Sequence, residues 1–446
     1  MSFDLPALPA GWSYMPLEKC VQPKSITYGV VQPGAAVEDG VPIIRVNNFL
    51  ETHLELSELM KISPEVEAKY ERTRLAGGEV LLTLVGSVGQ VAVVPREAKG
   101  FNVARAVGVI HPLPHISAEW IAFCLRSPLS QYLLGSRANT TVQTTINLKE
   151  VRALPIPMPP LEERKCISSL LMALDNRITL LRETNATLEA IAQALFKSWF
   201  VDFDPVRAKQ QGLAPEGMDE ATAALFPDGF EESELGLVPS GWDISPVYSL
   251  AEYVNGAAYK AFQPNNHGRG LPIIKIAELK SGVTTQTAFS DVAMPEKYRI
   301  KTRDILFSWS GNPDTSIDTF VWQHDEAWLN QHIFRVLPAS VSERSFVLQT
   351  LRYLKPVFAE LARNKQTTGL GHVTVSDLKQ LRVVKPPMQL LRRWSEVIDP
   401  LLDQAFVIQR QAQTLSTLRD TLLPRLISGQ LSLADFEQET EASHAD

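Results

Sequence analysis

The sequence predicts an α+β fold organised as a pseudo-twofold tandem repeat, with two mainly β domains joined by a pair of long antiparallel coiled-coil helices. Two observations lead to this prediction. Apolar residues recur at every seventh position in two long segments. Short motifs also recur in the same order about 230 residues apart.

The first heptad segment occupies residues 160–200, which contain no glycine. Its seven-residue series is Ile167, Leu174, Leu181, Leu188 and Leu195. The second series consists of Trp394, Leu401, Ile408, Leu415 and Leu422. A helix of about 40 residues extends about 60 Å, which is too long for one small domain to enclose, so each helix needs a partner. Pairing the two about a pseudo-twofold axis makes them antiparallel. We expect Pro400 to split the second helix near its base and Pro424 to kink or end it.

The repeat is visible in matched motifs. Residues 10–13 (AGWS) correspond to residues 240–243 (SGWD), and residues 42–46 (PIIRV) correspond to residues 272–276 (PIIKI). Residues 148–152 (LKEVR) correspond to residues 378–382 (LKQLR), each just before a proline-rich stretch that leads into a long helix. The chain is therefore interpreted as one unit used twice.

Short apolar runs bounded by Gly, Pro and polar turns predict strands in both domains. The runs are residues 42–46, 80–85, 90–94, 104–110, 304–309 and 333–337. One helix is expected at residues 118–134 and its counterpart at residues 343–363. The predicted organisation is a first domain at 1–155, a central helix at 156–203, an acidic linker at 204–238, a second domain at 239–385, a distal helix at 386–430 and an acidic tail at 431–446. We expect the linker to be extended, with one helical turn around residues 220–225.

The net charge of −7 argues at first against a nucleic-acid partner. Its distribution changes that conclusion, because residues 201–240 hold nine acidic residues against Arg207 and Lys209 and so account for the whole deficit. Residues 352–393 carry nine Lys and Arg against two acidic residues. This cluster is sufficient for a local phosphate-binding face, and a solvated surface is the alternative.

No catalytic or metal-binding pattern is found in the sequence. There is no phosphate-binding G-x-x-x-x-G-K-[ST] and no dinucleotide-type G-x-G-x-x-G. Residues 312–314 (NPD) lack the second proline and the aromatic residue of the tetrapeptide found in amino-methyltransferases. Three cysteines without C-x-x-C spacing predict neither a disulfide framework nor a zinc site, and the eight histidines are scattered. We expect no catalytic residue, no metal and no cofactor in this chain.

Polar loops at matching places in the two repeats are candidates for DNA contact, because Arg, Asn, Gln and Thr can bind phosphates and read base edges. In the first repeat these candidates are Arg137, Asn139, Thr140, Thr141, Gln143 and Thr144, with Ser87 and Gln90 as a second group. In the second repeat they are Arg363, Lys365, Gln366 and Thr367, with Ser308, Trp309, Ser310 and Asn312 as the second group. Weaker candidates are Arg45, Asn47, Arg72, Arg74, Lys275, Lys297 and Arg299.

Several motifs closely resemble the specificity (S) subunits of type I restriction-modification enzymes. The most specific is AIAQALFKSWFVDFDPVR at residues 190–207, followed by PEGM at 215–218 and ALFPD at 224–228. PPLEE at 159–163 and LLPRLISG at 422–429 look like the same family. The resemblance covers essentially the whole chain. One departure is LLRR at 390–393, which replaces an acidic pair at the entry to the second helix.

The resemblance implies a non-catalytic DNA-sequence-specificity subunit whose two target-recognition domains each read one half of an asymmetric bipartite double-stranded DNA site. It also implies as partners two methyltransferase subunits, which use S-adenosylmethionine, and two restriction subunits, which use ATP and Mg. The aromatic residues Phe196, Trp199, Phe200 and Phe203 are then a candidate partner-docking patch, and packing within this chain is the alternative.

Two other functions stay open at this point. A self-contained DNA adenine methyltransferase would need a methyl-donor motif, and a coiled-coil assembly protein without a DNA role would need domains lacking a basic face. No run approaches eighteen uninterrupted apolar residues and the N-terminus does not resemble an export signal. We therefore expect no membrane association and a cytoplasmic location.

Overall fold

The computed structural model describes residues 5–23, 25–51, 53–140, 144–366 and 370–432. The chain divides into two compact units. Unit 1 consists of Met1–Leu180 and Ala412–Asp446, and unit 2 consists of Leu181–Gln411. Each unit therefore contains one β-rich domain and a segment of each long helix.

Unit 1 begins with a domain of short strands and helices. Its strands are β1 (Ser13–Pro16), β2 (Thr27–Tyr28), β3 (Val41–Ile44), β4 (Phe49–Leu50), β5 (His53–Leu54), β6 (Met60–Ile62), β7 (Val80–Thr83), β8 (Val91–Val93), β9 (Asn102–Val103), β10 (Val107–Ile110), β11 (Asn139–Thr140), β12 (Thr144–Thr145) and β13 (Pro155–Met158). Its helices are α1 (Pro64–Glu67), α2 (Ala118–Arg126), α3 (Pro128–Arg137), α4 (Leu148–Arg152) and the first half of α5 (Leu161–Phe200).

Two sheets form the centre of this domain. An antiparallel sheet has the order β2-β10-β7-β8, and a mixed sheet has the order β6-β3-β9, in which β3 and β9 are parallel. Every residue of β7 and β10 is buried, as expected for strands rich in Val, Leu and Ile in the middle of a sheet. The first strand, β1, pairs antiparallel with β13, immediately before α5 begins.

Unit 2 repeats this plan. Its strands are β14 (Phe230–Ser233), β15 (Gly236–Pro239), β16 (Asp243–Pro246), β17 (Ala251–Asn255), β18 (Leu271–Ile274), β19 (Phe289–Ser290), β20 (Arg299–Ile300), β21 (Ile305–Ser308), β22 (Ser310–Gly311), β23 (Asp318–Val321), β24 (Ala327–Leu329), β25 (Ile333–Pro338), β26 (Gly371–His372) and β27 (Arg382–Lys385). Its helices are α6 (Asp204–Gln210), α7 (Glu220–Ala223), α8 (Ile276–Ser281), α9 (Val341–Tyr353), α10 (Lys355–Arg363), α11 (Val375–Gln380) and the first part of α12 (Met388–Ile427).

The sheets of unit 2 follow the same plan as those of unit 1, with one additional strand, β20, in the second sheet. The antiparallel sheet has the order β17-β25-β21-β23, and a second sheet has the order β19-β18-β24-β20, in which β18 and β24 are parallel. The pair β16–β27 stands where unit 1 has β1–β13. The α+β tandem repeat is therefore confirmed.

Each of the two helices predicted within the β-rich domains, at 118–134 and 343–363, is a pair of consecutive helices in the structure. In unit 1 the break falls at Ser127, whose ψ of 150° ends α2 and whose Oγ accepts a hydrogen bond from the Ser130 N–H at the start of α3. The next residue, Pro128, has no N–H and suits the first turn of a new helix. A proline at the start of α10 likewise follows the end of α9.

The second long helix, α12, runs without interruption from Met388 to Ile427. The prediction that Pro400 splits it is wrong, and Pro424 does not end it. A proline within a helix removes one hydrogen bond and costs about 3 kcal/mol. Burial of neighbouring apolar residues offsets that cost, since Trp394 and Ile398 are fully buried on the preceding turns.

The segment between α5 and the second domain has more structure than the extended linker that was predicted. It contains helices α6 and α7 and the hairpin β14–β15. Phe203 adopts a left-handed backbone conformation with φ of 56°, which turns the chain from α5 into α6. Arg393 at the start of α12 holds α7 by hydrogen bonds to Thr222 and Asp219.

In each unit a segment of α5 packs against a segment of α12 running in the opposite direction. In unit 1, Ile167 and Leu171 of α5 share a core with Leu423 and Leu426 of α12. In unit 2, Phe196, Trp199 and Phe200 of α5 contact Trp394 of α12.

Within the described residues, no helix is both long and apolar enough to cross a membrane.

Asp175 of α5 joins three parts of unit 1. Its carboxylate lies 2.9 Å from the guanidinium of Arg126 in α2 and 3.0 Å from that of Arg419 in α12. All three side chains are at most 15% exposed. Burial lowers the pKa of Arg126, although the nearby carboxylate opposes this shift. One carboxylate therefore holds the domain and both helix segments of unit 1 together.

We expect Asp175→Ala to lower the free energy of unfolding by about 3 kcal/mol, because two largely buried guanidinium groups lose their carboxylate. Urea denaturation followed by circular dichroism measures the change. Glu162→Ala on the same helix is the control, since its ion pair with Lys165 is exposed and should contribute less than about 1 kcal/mol. Equal effects of the two substitutions would contradict a stabilising role for Asp175.

Candidate nucleic-acid interface

In unit 1 the structure brings the two predicted loop segments together. The Gly86 N–H donates to the carbonyl of Thr144 at 2.9 Å, and Val85 forms a β-bridge with Thr145. The loop after β7 and the segment after α3 therefore form one continuous surface. The sequence alone does not predict that these two segments pair, because about 50 residues separate them.

The loop after β7 is held by buried polar contacts. The hydroxyl of Thr83 donates to the carbonyl of Ser87 and accepts a hydrogen bond from the Gln90 N–H at 2.9 Å. Gln131 of α3 donates to the carbonyl of Gly89 at 2.9 Å. A Cβ at Gly89 would lie 2.6 Å from the Gln131 side chain, and φ is +100° there, so the position requires glycine. The predicted residues Ser87 and Gln90 are exposed and half-buried, respectively, on this fixed loop.

The other unit 1 candidates lie at the end of α3 or after it. Arg137 is half-buried with its Nε 3.7 Å from Glu150. Asn139 and Thr140 form β11, paired with β12, which contains the half-buried Thr144. The side chains of Asn139 and Thr140, and all of Thr141 and Gln143, lie outside the part of the chain that the structure describes.

Unit 2 contains the same juxtaposition. Strand β22, in the loop after β21, pairs with β26, which follows the loop after α10. Arg363 at the end of α10 reaches across to the first loop, with its Nη2 2.7 Å from Asp314. The predicted Asn312 is exposed, and its Oδ1 accepts hydrogen bonds from the N–H groups of Asp314 and Thr315. Its amide nitrogen is not used in this turn.

Two candidates in unit 2 are buried. Ser308 is fully buried and Ser310 is 6% exposed. Both side chains face the core and do not reach the surface, which argues against direct contact of either with DNA. The adjacent Trp309 is half-buried and Gln366 is exposed, while Thr367 lies outside the described residues.

Lys365 makes a structural ion pair. Its Nζ lies 2.5 and 2.7 Å from the two carboxylate oxygens of Asp377, which also caps α11 through Thr374. Burial opposes ionisation of Asp377, but the hydrogen bonds from Lys365 and Thr374 outweigh it, so the pKa of Asp377 lies below its ordinary value. Lys365 therefore positions the loop after α10 by attaching it to α11.

Three of the six weaker basic candidates also have acidic partners. Arg74 makes two hydrogen bonds to Glu67, which lower the pKa of that carboxyl. Lys275 lies 3.8 Å from Glu278, and Arg299 contacts Glu296 and Glu326.

Four weaker candidates have no such partner. Lys297 lies over the ring of Tyr298, and Arg72 and Asn47 are exposed. Arg45 is half-buried beside Met60. Among the described residues no carboxylate forms an ion pair with Arg45, Arg72 or Lys297, so these three can bind phosphates without first breaking an ion pair.

The predicted aromatic docking patch is not exposed. Phe196, Trp199, Phe200 and Phe203 are 3%, 6%, 4% and 7% exposed and belong to the core of unit 2. They pack against Trp394, Phe226, Trp242 and Phe346. The prediction of an exposed patch is wrong, because this chain itself covers the apolar face.

Sequence reasoning missed a second group of polar side chains around Trp309. His332 and His372 flank the indole ring, and Asn255 accepts a hydrogen bond from the indole Nε1 at 3.1 Å. The histidines were treated as scattered because 40 residues separate them in the sequence. Among the described residues, no cluster of three or more His, Cys, Asp or Glu side chains could hold a metal ion.

The fold and these loops define a tandem-repeat α+β protein that presents one fixed pair of polar loops in each unit. A family model described as the type I restriction modification DNA specificity domain matches residues 35–190 and 239–414.

Two curated relatives are similar to the chain. The specificity subunit of the type I restriction enzyme EcoBI from Escherichia coli is 33% identical over 159 residues, a match spanning 35% of this chain and only 33% of that subunit. The specificity subunit of the type I restriction enzyme MjaIX from Methanocaldococcus jannaschii is 23% identical over 371 residues, which cover 80% of this chain and 79% of that subunit.

A solved structure, the type I restriction-modification S subunit from M. genitalium, superposes with a TM-score of 0.55 at 14% identity. It covers 93% of this chain and 96% of that one, and it shows the same fold. The chain belongs to the type I restriction-modification DNA specificity family. The relatives are named as specificity subunits, and these matches give no support to the methyltransferase or assembly-protein alternatives.

We expect Lys365→Ala to lower the free energy of unfolding by about 2 kcal/mol at pH 7, because it leaves the carboxylate of Asp377 without its cation. Since the pKa of Asp377 is lowered, the ion pair stabilises the fold above about pH 4, the ordinary Asp range. That contribution is lost as the pH falls through the lowered pKa. Denaturation at pH 7 and again near pH 3 measures both effects.

Arg363→Ala is the matched control, since its pair with Asp314 has both side chains at least half exposed and should contribute less than about 1 kcal/mol. If the destabilisation by Lys365→Ala is unchanged near pH 3, the carboxylate is not its cause. Arg363→Ala is also the cleaner probe of DNA affinity, because its effect on folding is small.

Proposed function

We propose that this chain reads an asymmetric, bipartite double-stranded DNA sequence, with each unit recognising one half of the site. The observation that carries the proposal is the repeated loop pair. In both units the loop after the third strand of the antiparallel sheet is hydrogen-bonded to the segment before the last short helix. The two units share this backbone frame but carry different side chains on it. This difference is what recognition of two different base sequences requires.

We further propose that the chain acts as the scaffold for two methyltransferase subunits and, through them, two restriction subunits. The printed names of its relatives support such an assembly, since those relatives are specificity subunits of type I restriction enzymes. S-adenosylmethionine, ATP and Mg are assigned to the partner subunits, and no cofactor is assigned to this chain. Its place of action would be the cytoplasm, where the chromosomal DNA of a bacterium or archaeon is found.

The long helices are proposed to set the distance between the two half-sites. Dimeric DNA readers place their recognition elements about 34 Å apart, one helical turn of DNA. A 40-residue helix extends about 60 Å at 1.5 Å per residue, which is sufficient for such a spacing. Heptad positions of the helices are buried within each unit, such as Ile167 in unit 1 and Trp394 in unit 2.

The proposed function is tested by methylome sequencing of cells carrying this gene together with methyltransferase and restriction genes of the same system. We expect a bipartite N6-methyladenine motif that disappears when only this gene is deleted. Restoring the gene on a plasmid is the control and should return the same motif. Methylation that persists after deletion would contradict the proposal.

Removing one heptad from each long helix, at residues 181–187 and 405–411, tests the spacing role. Each deletion shortens its helix by about 10 Å, equal to about three base pairs at 3.4 Å per base pair. We expect the non-specific spacer of the methylated motif to shorten by that amount while both half-sites stay the same. A heptad is chosen because it preserves the buried face of each helix. An unaltered spacer in an active complex would falsify this role.

A further inference from the structure

A group of aromatic and amide side chains surrounds Trp309 at the end of strand β21. The indole ring centroid lies 5.5 Å from that of His332 and 5.9 Å from those of Phe334 and His372. The indole Nε1 donates to the Oδ1 of the exposed Asn255. Trp309 and both histidines are half-buried, so they are fixed by packing and still reach the surface.

Main-chain hydrogen bonds hold this group in place. The Trp309 N–H donates to the carbonyl of His332 at 3.4 Å, and the Val373 N–H donates to the carbonyl of Trp309 at 2.8 Å. His372 lies in β26, which pairs with β22 in the loop that carries Asn312. The group is therefore continuous with the proposed DNA-contacting loops of unit 2.

Unit 1 has the same backbone frame with different side chains. The Leu84 N–H donates to the carbonyl of Ala106 at 2.7 Å, and the Ile146 N–H donates to the carbonyl of Leu84 at 3.0 Å. Tyr28 opposes Gly108 in unit 1, as Asn255 opposes Phe334 in unit 2. The matched positions are Tyr28, Leu84, Ala106, Gly108 and Thr145 in unit 1 and Asn255, Trp309, His332, Phe334 and His372 in unit 2.

The imidazole of His332 has a defined hydrogen-bonding state. Burial, with a smaller contribution from His372, lowers its pKa, so the ring is neutral at pH 7. The Oε1 of Gln331 accepts from the Tyr259 N–H, so its Nε2 donates toward the Nε2 of His332 at 3.3 Å. The ring proton is then on Nδ1, a buried atom with no partner among the described residues. Both ring nitrogens of His332 therefore face protein atoms, so this side chain positions Trp309 and does not itself contact a base.

We propose that Trp309 and His372, with His332 positioning the indole, determine the specificity of unit 2 and read base edges in the major groove of one half-site. The inference rests on the proposed DNA-reading function. The imidazole of His372 and the amide nitrogen of the exposed Asn255 offer hydrogen-bonding groups, and the indole offers an apolar surface for the methyl group of thymine. A fixed array of hydrogen-bonding and apolar groups can distinguish the four base pairs.

The test replaces the two histidines with the residues at the matched positions of unit 1, as His332→Ala and His372→Thr together, with Trp309→Leu as a second variant. Each variant is assembled with its methyltransferase subunits, and its base preference is measured by selection from a randomised DNA library and by fluorescence anisotropy. We expect discrimination in one half-site to fall by about 5-fold to 100-fold per base lost. The other half-site should be read as before, which also reports that the variant is folded.

His267→Ala is the matched control, because it removes an exposed histidine of the same unit and should leave both half-sites unchanged. Unaltered discrimination in the His332 and His372 variant overturns the inference, and so does an equal loss in both half-sites, which would indicate a general effect on folding. If the wild-type complex itself shows no sequence preference, the proposed function fails first and the inference falls with it. A loss confined to one half-site supports both.

Discussion

The closure of each β domain immediately before its long helix is the constraint on which the rest of the structure depends. The first strand of each domain pairs with the last, Ser13 with Met158 and Asp243 with Lys385. A Gly-Trp turn precedes each first strand, with positive φ at Gly11 and Gly241. The indole of Trp12 also donates to Glu163 in the first turn of α5. The chain therefore enters each helix from a fixed point rather than from a loose end.

The sequence allowed the repeat and the helical seam to be predicted because both follow from periodicity. Ile167, Leu181 and Trp394 are buried at the heptad positions that were assigned to them. Neither periodicity nor the family resemblance reports what covers a face, and the resemblance therefore placed Phe196 and Trp199 in a candidate docking patch when they form a core. Local signals were also insufficient at Pro400, where burial of the neighbouring turns decides the conformation.

The candidate site was only partly predictable for a related reason. Residue type identified the loops, and the repeat identified their counterparts, but the pairing of the loops depends on hydrogen bonds between distant segments such as Gly86 and Thr144. Charge was similarly misleading, because Lys365, Arg74 and Arg299 contact carboxylates of the same domain. A count of basic residues therefore overstates the positive surface available for phosphates. The ion pairs in the structure show which basic side chains remain available.

The common backbone frame beneath Leu84 and Trp309 has an evolutionary consequence. Because the hydrogen bonds that shape this frame are made by main-chain atoms, side chains on it can be exchanged without rebuilding the sheet. Mutations in one unit leave the frame of the other unchanged, so the two halves of a recognised sequence can diverge independently. Under the proposed function, substitutions on this frame change the target sequence while the main-chain scaffold stays constant.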